Sequence, residues 1–182
     1  VTLHLKDNFR ELADPEVLRR RLTHYCALLP LPVFVDSDTV AVNAEPPPWR
    51  QPPGHPARDR QLRLAFARRL ERRFEPLCAF DVRPRDGTDV RGLLWLHDAA
   101  TYGTSDNRNL HVYVRGMLLD DDARELLPSW AGFVSGALES ARLTPTASRE
   151  DLQRDPVYRA TAEAVGDALV AGLAGLAARE PE

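Results

Sequence analysis

The sequence predicts an α+β fold in which helices cover a mixed, largely antiparallel sheet. Two observations lead to this class. Helix-like and strand-like segments follow one another without a regular alternation, and the turn Arg85-Asp86-Gly87 joins two strand-like segments as in a β-hairpin. The chain has 182 residues, of which 43% are hydrophobic, and this is sufficient for one domain with its own core.

Three long helices are predicted from local signals. Asp14-Pro15 and Asp155-Pro156 each combine an N-cap aspartate with a proline at the first helical position, where its missing N–H costs nothing. These two helices are predicted to end near Leu29 and Arg179. A helix over residues 57–74 is predicted because apolar residues recur there every four positions.

The predicted strands are short runs of apolar residues bounded by turn signals. A proline-rich segment at 45–56, which contains Trp49, predicts an extended and exposed loop between two of these elements. The apolar run 130–138 indicates a buried strand or a tightly packed segment. The other strand-like segments are residues 1–6, 33–35, 39–42, 77–82, 90–96, 110–114 and 117–119.

Charge and composition exclude some classes of function. The formal net charge is −3, and Lys6 is the only lysine among 24 basic residues. The arginines of the 57–74 helix could contact nucleic-acid phosphates, which would require salt-sensitive binding. Acidic neighbours and the lack of a recognition signature favour a solvated face instead, so we expect no nucleic-acid partner.

Three further features favour a cytoplasmic protein without a membrane partner. No secretory signal is visible, and we expect no apolar stretch to reach the eighteen or so residues of a membrane span. Cys26 and Cys78 lack the spacing of a metal site, which is typical of reduced thiols. The chain begins with Val1 rather than Met, so we expect it to be a segment of a longer protein.

The motif most suggestive of chemistry is Ser148-Arg149-Glu150-Asp151-Leu152-Gln153. Ser148 and Asp151 resemble a capping box, which predicts a one-turn helix with Arg149 at its first position. A guanidinium beside free helix N–H groups favours an anion such as phosphate, and Gln153 would lie on the same face. The alternative is a surface arginine paired with Glu150 or Asp151.

Other candidate sites are weaker. Asp120, Asp121 and Asp122 are predicted to cap a short helix rather than bind a metal, because consecutive carboxylates do not converge on one point. We therefore predict no metal site, and no complete catalytic motif is present. Trp130 is predicted to lie in the core. Trp49 is the better candidate for an exposed contact with another protein, and the alternative is that it packs on its own domain.

Two motifs resemble the Hsp90 family of molecular chaperones. Residues 121–136 read DDARELLPSWAGFVSG and resemble the family pattern D-D-x-x-E-L-[LM]-P-x-[YW]-x-x-F-V-x-G. The Ser148 motif follows at the family's distance, and Trp49-Arg50 resembles the family's L-W-T-R loop. The chain departs from the pattern at Thr146, where Asn is usual, and at Gly116, which replaces the second arginine of a strand.

The resemblance implies a domain assignment and a fold. Residues 1–8 would be the end of the N-terminal ATP-binding domain or a linker, and residues 9–182 the large α/β segment of the middle domain. The fold would resemble ribosomal protein S5 domain 2. The parent protein would be a bacterial, cytoplasmic homodimer, with its dimerisation domain beyond this chain.

The resemblance also implies a mechanism. Arg149 would be the catalytic-loop arginine that reaches the γ-phosphate of ATP, and Gln153 would assist it. ATP and Mg would be bound by the N-terminal domain, so this chain alone would be inactive. Trp49 would contact client polypeptides during ATP-dependent protein folding and the stress response. The alternative function is an energy-independent module that recognises exposed apolar segments of other proteins.

Overall fold

The computed structural model confirms the predicted α+β class and describes residues 4–71, 73–98, 106–148 and 151–178. These residues form three α-helices, several strands and short 3₁₀ helices. The helices are α1 (Pro15–Tyr25), α2 (Pro56–Leu70) and α3 (Pro156–Ala177). The strands are β1 (Pro76–Val82), β2 (Arg91–His97), β3 (Asn109–Val114), β4 (Met117–Asp120) and β5 (Val134–Ser140). The 3₁₀ helices are Asp7–Ala13, Pro48–Arg50 and Arg124–Leu126.

The strands form one mixed sheet in the order β1-β2-β5-β3-β4. β3 and β5 are parallel, and every other neighbouring pair is antiparallel. The predicted hairpin joins β1 to β2, and Gly87 in its turn has φ 88°, a conformation that glycine adopts without steric cost. The sheet is therefore mixed and largely antiparallel, as predicted.

Helices cover both faces of this sheet. Successive side chains of a strand point to opposite faces. On β2, Leu93 and Trp95 pack in one core cluster with Phe66 of α2, whereas Leu94 packs in a second cluster with Val165 of α3. The sheet thus lies between a layer that contains α2 and a layer formed by α3.

The predicted helix starts are confirmed by their caps. The Asp14 carboxylate accepts hydrogen bonds from the N–H groups of Glu16 (2.8 Å) and Val17 (3.2 Å). The Asp155 carboxylate accepts one from the Tyr158 N–H (2.8 Å). The ends of the helices are less well predicted, because α1 stops at Tyr25, short of the predicted Leu29.

The prediction of two strands at 33–35 and 39–42 is wrong. Neither segment is a strand, and the segments share one backbone hydrogen bond, from Val42 N–H to the Val33 carbonyl (2.8 Å). The Asn43 side chain forms hydrogen bonds with backbone groups that would otherwise pair between strands. Its amide donates to the carbonyls of Leu29 (3.0 Å) and Leu31 (2.8 Å), and its oxygen accepts from Val33 N–H (2.9 Å). A side chain that satisfies these backbone groups removes the need for strand pairing.

The burial of the Trp130 side chain differs from the prediction. Trp130 is 54% exposed and not in the core, since it follows a 3₁₀ helix and lies in a turn before β5. Cys26 is buried and Cys78 is partly buried, and both carry thiols, as predicted.

α3 is long and apolar enough to cross a membrane by length and composition, which the sequence argument overlooked. Its apolar character also suits packing in a core. Val165 and Leu169 are fully buried, and Thr161 forms a buried hydrogen bond with Thr88 (2.8 Å). Gly172 lies against the Phe80 ring of β1, where a Cβ would approach ring atoms to 2.4 Å.

The predicted domain boundary near the N-terminus falls inside a secondary-structure element. His4, Leu5 and Lys6 are exposed and do not form the predicted strand end, and Val1–Leu3 lie outside the described residues. The 3₁₀ helix Asp7–Ala13 crosses the predicted division between residues 8 and 9. That division and the likeness to ribosomal protein S5 domain 2 stay predictions.

Candidate functional site

The loop that carries the Ser148 motif is closed at its base by backbone pairing. Thr146 N–H donates to the Asp151 carbonyl (2.8 Å), and Gln153 N–H donates to the Thr144 carbonyl (2.8 Å). Between these bonds, Pro145 and Leu152 form an isolated β-bridge. Residues 147–150 therefore connect two paired segments.

The predicted one-turn helix is not found in the part of the motif that the structure describes. Asp151, Leu152 and Gln153 have no helical assignment, because their backbone groups pair across the loop base instead. Arg149 and Glu150 lie outside the described residues. The proposed role of Arg149 is thus a prediction from the motif and from its position between the paired segments.

Two described residues fix the segment that follows Arg149. Leu152 is only 2% exposed and belongs to the core cluster that contains α3. Gln153 is exposed, and its amide Nε2 donates to the Pro145 carbonyl (3.0 Å), which adds a side-chain bond to the backbone pairing. The loop base is therefore attached to the core on one side and braced on the other.

Arg154 connects the same segment to neighbouring elements, and this residue was not predicted as part of the site. Its guanidinium forms ion pairs with Glu125 of the 3₁₀ helix Arg124–Leu126 and, at 3.6 Å, with Asp151. The guanidinium carbon also lies 4.4 Å from the centroid of the Tyr158 ring. Glu125 is distant in the sequence and Asp151 lies on irregular backbone, so no periodic pattern indicates these two partners.

The prediction that the three consecutive aspartates cap a short helix is wrong, because the 3₁₀ helix Arg124–Leu126 has Ala123 at its N-cap and no side-chain cap hydrogen bond. The Asp120 carboxylate accepts a hydrogen bond from Asp122 N–H (2.8 Å), and Asp122 forms an ion pair with Arg124. Burial raises the pKa of the Asp120 carboxyl. No group of three or more metal-binding side chains occurs among the residues that the structure describes.

The arginines of α2 are mostly occupied by carboxylates. Arg63 forms a two-bond ion pair with Asp81, while Arg68 and Arg69 pair with glutamates, at positions 75 and 45. These pairs leave fewer free guanidinium groups than the sequence alone would indicate. The helix face therefore has the character of an ion-paired, solvated surface.

Trp49 is the second predicted site residue, and the structure places it half-buried. Its ring packs edge-to-face on Phe66, with the ring centroids 5.0 Å apart. Its indole Nε1 donates to Glu139 Oε2 (3.0 Å), and Arg50 pairs with the same carboxylate and donates to the Leu28 carbonyl (2.7 Å). Trp49 is thus held in one orientation by β5 and α2.

A cleft of about 540 Å³ lies beside Trp49. It is bounded by the proline-rich loop, the N-terminal half of α2 and the hairpin ends of β1 and β2. Sequence reasoning identified Trp49 but not this cleft, because its lining comes from three separate segments. The lining residues are Pro48, Trp49, Gln51, Pro52, Pro53, Asp59, Leu62, Arg63, Asp81, Val82, Arg83, Pro84 and Arg91.

Comparison with known proteins places both motifs in one family. The family model described as Hsp90 protein matches residues 94–166, which extend from β2 to the middle of α3 and include the whole loop. The chain is 26% identical over 186 residues to the chaperone protein HtpG of Roseobacter denitrificans, and this alignment covers 100% of the chain. The chain is therefore similar to Hsp90-family chaperones, in this region by the family model and over its whole length by alignment.

Other relatives show the same similarity. HtpG of Nitratidesulfovibrio vulgaris is 26% identical over 185 residues, which cover 100% of the chain. HtpG of Gluconobacter oxydans is 27% identical over 176 residues, or 91% of the chain. The chain spans 28–29% of the length of these three relatives.

The structure explains one departure of this chain from the Hsp90 pattern. Gly116 has φ 85°, and a Cβ there would lie 2.7 Å from the Leu28 carbonyl oxygen. An arginine at this position is therefore incompatible with the tight turn between β3 and β4. No physical account emerges for Thr146, whose hydroxyl bonds to Ser148 Oγ (3.1 Å).

Proposed function

We propose that this chain is the large middle-domain segment of an ATP-dependent, Hsp90-type chaperone and that Arg149 acts on ATP held by another domain. The observation that carries the proposal is the Ser148-Arg149-Glu150 motif within the matched family region, on a loop whose base is closed by described residues. The curated relatives are named chaperone proteins and extend well beyond this segment.

The chemistry of phosphoryl transfer gives the arginine its role. Negative charge on the γ-phosphoryl oxygens is redistributed in the transition state, and a guanidinium placed beside it stabilises that charge. Arginines supplied to a nucleotide site accelerate hydrolysis by on the order of 10³–10⁵-fold in known cases. Arg149 would donate to the γ-phosphate, and Gln153 would assist by holding the loop or by a further hydrogen bond.

The described part of the loop supports such a role because it is rigidly attached. Displacement of a catalytic group by about 1 Å can lower the reaction rate roughly 10²-fold. Leu152 is anchored in the core, and the bond from Gln153 to Pro145 restrains the opposite segment. Residues 144–146 and 151–153, which form the base of the loop, are thus paired before any nucleotide arrives.

The remaining parts of the proposal concern partners. ATP and Mg would be bound by an N-terminal domain, a C-terminal domain would dimerise the protein, and the homodimer would work in the cytoplasm. Client polypeptides would bind at Trp49, whose ring is oriented by Phe66 and Glu139 and borders the cleft. A half-buried, immobilised aromatic ring offers contact area at low entropic cost.

A reconstitution experiment tests the ATPase proposal. ATP turnover is measured for this chain alone, for the N-terminal domain of the full-length protein alone, and for the full-length protein. We expect no turnover by this chain alone and, for the N-terminal domain alone, turnover at least about tenfold slower than that of the full-length protein, because the transition-state charge is stabilised only when both parts are present.

Two outcomes would contradict the proposal. Hydrolysis by this chain alone would place a complete active site within it. Equal rates for the N-terminal domain and the full-length protein would show that this chain supplies nothing to the reaction. The energy-independent binding module, which the Trp49 cleft favours, would then become the better account, provided that polypeptide binding persists without ATP.

A further inference from the structure

We propose that the cleft beside Trp49 selects extended polypeptide segments that carry acidic as well as apolar side chains. This inference rests on the proposed binding of client polypeptides and names the chemistry of the segment that is bound. Trp49, Leu62 and Val82 give the cleft apolar walls. Four of the lining residues are prolines, Pro48, Pro52, Pro53 and Pro84, whose fixed φ angles limit rearrangement when a ligand enters.

The carboxylates in the cleft are already occupied by the protein itself. Asp81 accepts from Arg63 Nε and Nη2, both at 2.8 Å. Asp59 accepts from Gly54 N–H at 3.0 Å. Their negative charge is therefore partly compensated, and neither carboxylate is left to repel an acidic ligand at full strength.

Two arginines of the lining remain available for a ligand. The Arg83 side chain is 82% exposed, and its carboxylate contact, Asp81 at 3.6 Å, is shared with Arg63. Arg91, at the start of β2, is exposed and forms no side-chain hydrogen bond or ion pair with the part of the chain that the structure describes. The exposed guanidinium groups of Arg83 and Arg91, together with the apolar lining residues, complement a segment with carboxylates beside apolar side chains.

A polypeptide fits these walls better than a nucleic acid. A nucleic-acid groove follows a regularly charged backbone and requires a row of cations. This cleft provides two exposed arginines, prolines and one aromatic ring, and about 540 Å³ accommodates a few side chains. Exposed segments of unfolded proteins present such side chains in alternation.

The experiment uses two short, unstructured, fluorescein-labelled peptides with the same apolar residues. One has aspartates between the apolar residues, and the other has asparagines. Fluorescence anisotropy measures the dissociation constant of each peptide for the 182-residue chain. We expect the aspartate peptide to bind roughly tenfold more tightly at low salt, with about fivefold or less from each exposed ion pair, and the preference to shrink as salt is added.

Matched variants locate the preference. Arg83→Gln with Arg91→Gln should abolish the preference for aspartate, and because both side chains are exposed the melting temperature should not change. Arg142→Gln with Arg159→Gln removes two exposed arginines outside the cleft and should leave the preference intact. Equal loss in both double variants would overturn the proposal, since a general charge effect would then explain the selectivity.

The outcomes separate this inference from the broader function. Equal binding of both peptides that is lost in Trp49→Ala would end the acidic selectivity and leave client binding at Trp49 in place. Absence of binding by either peptide would end both proposals. A single-stranded oligonucleotide that displaces the aspartate peptide at lower concentration than unlabelled peptide does would also overturn the inference, because the cleft would then be a nucleic-acid site.

Discussion

At the residue scale, Arg108 holds the start of β3 against the 3₁₀ helix Arg124–Leu126. Its guanidinium donates to the carbonyl of Leu127 (2.9 Å) and, more weakly, to that of Arg124 (3.3 Å). Asp106 orients it through bonds of 2.9 and 2.7 Å. The same 3₁₀ helix also forms an ion pair with Arg154, through Glu125. Arg108 therefore supports the segment against which the loop base lies.

The Arg108–Asp106 ion pair makes a contribution to the free energy of unfolding that depends on pH. The Arg108 guanidinium lowers the pKa of Asp106 to about 2, below its ordinary value of 3.8. A carboxylate with a lowered pKa in the folded state stabilises the fold above its ordinary pKa, and this contribution is lost as pH falls from about 4 towards 2. The effect should be small because the Asp106 side chain is 36% exposed.

We therefore predict that Asp106→Asn lowers the free energy of unfolding at pH 7 and that the difference from wild type shrinks towards zero near pH 2. Urea titrations at a series of pH values measure it. Asp86→Asn, in the exposed β1–β2 turn, is the control and should show no such pH-dependent difference. A difference for Asp106→Asn that does not vary with pH would show that the ion pair is not the cause.

The sequence predicted side-chain environments unevenly. The N-cap aspartates were evident because a cap and its partners are neighbours in the chain. The environment of Trp49 was not, because its partner Glu139 is 90 positions away and reaches it only through the sheet. Trp130 was placed in the core from its apolar surroundings, but the turn that precedes β5 leaves it exposed.

At the scale of elements, the β3–β4 hairpin depends on a two-residue turn. Arg115 and Gly116 have φ values of 53° and 85°, the pattern of a type I′ turn, in which both central residues are left-handed. A Cβ at position 116 would meet the Leu28 carbonyl oxygen at 2.7 Å. The turn thus connects the hairpin to the segment that follows α1.

Gly116→Ala is accordingly predicted to lower the free energy of unfolding by about 1–3 kcal/mol, from backbone strain and the close contact together. Chemical denaturation gives the value. Gly132→Ala is a matched control, since a Cβ at that position would have no heavy atom within 4 Å, and it should change stability much less. A variant at position 116 as stable as wild type would contradict this account of the turn.

Elements with strong local signals were predicted well, and those decided by tertiary contacts were not. Periodicity and caps located the three helices, and turn chemistry located the β1–β2 hairpin. The strands expected at 33–42 failed because Asn43 takes over the backbone groups. The one-turn helix expected after Ser148 failed in its described part because Thr144 and Thr146 pair with Gln153 and Asp151.

At the scale of the whole molecule, the fold and the functional site were predicted from different kinds of observation. The irregular succession of helix-like and strand-like segments was sufficient for the α+β class, and helices cover the sheet as predicted. The candidate site could be identified only through the motif, because a guanidinium at a loop is common and the nucleotide it would serve would be bound by another domain. The cleft beside Trp49 required coordinates, since its walls come from three segments.

The most direct test of the central claim is the rate constant for ATP cleavage by Arg149→Ala full-length protein, measured in a single turnover at saturating ATP. Saturation removes any effect on binding, and the step that remains is the one at which γ-phosphate charge is redistributed. We predict a decrease of roughly 10²–10³-fold, as expected when one preorganised donor to a developing charge is removed. A rate constant equal to that of the wild-type protein would contradict the account.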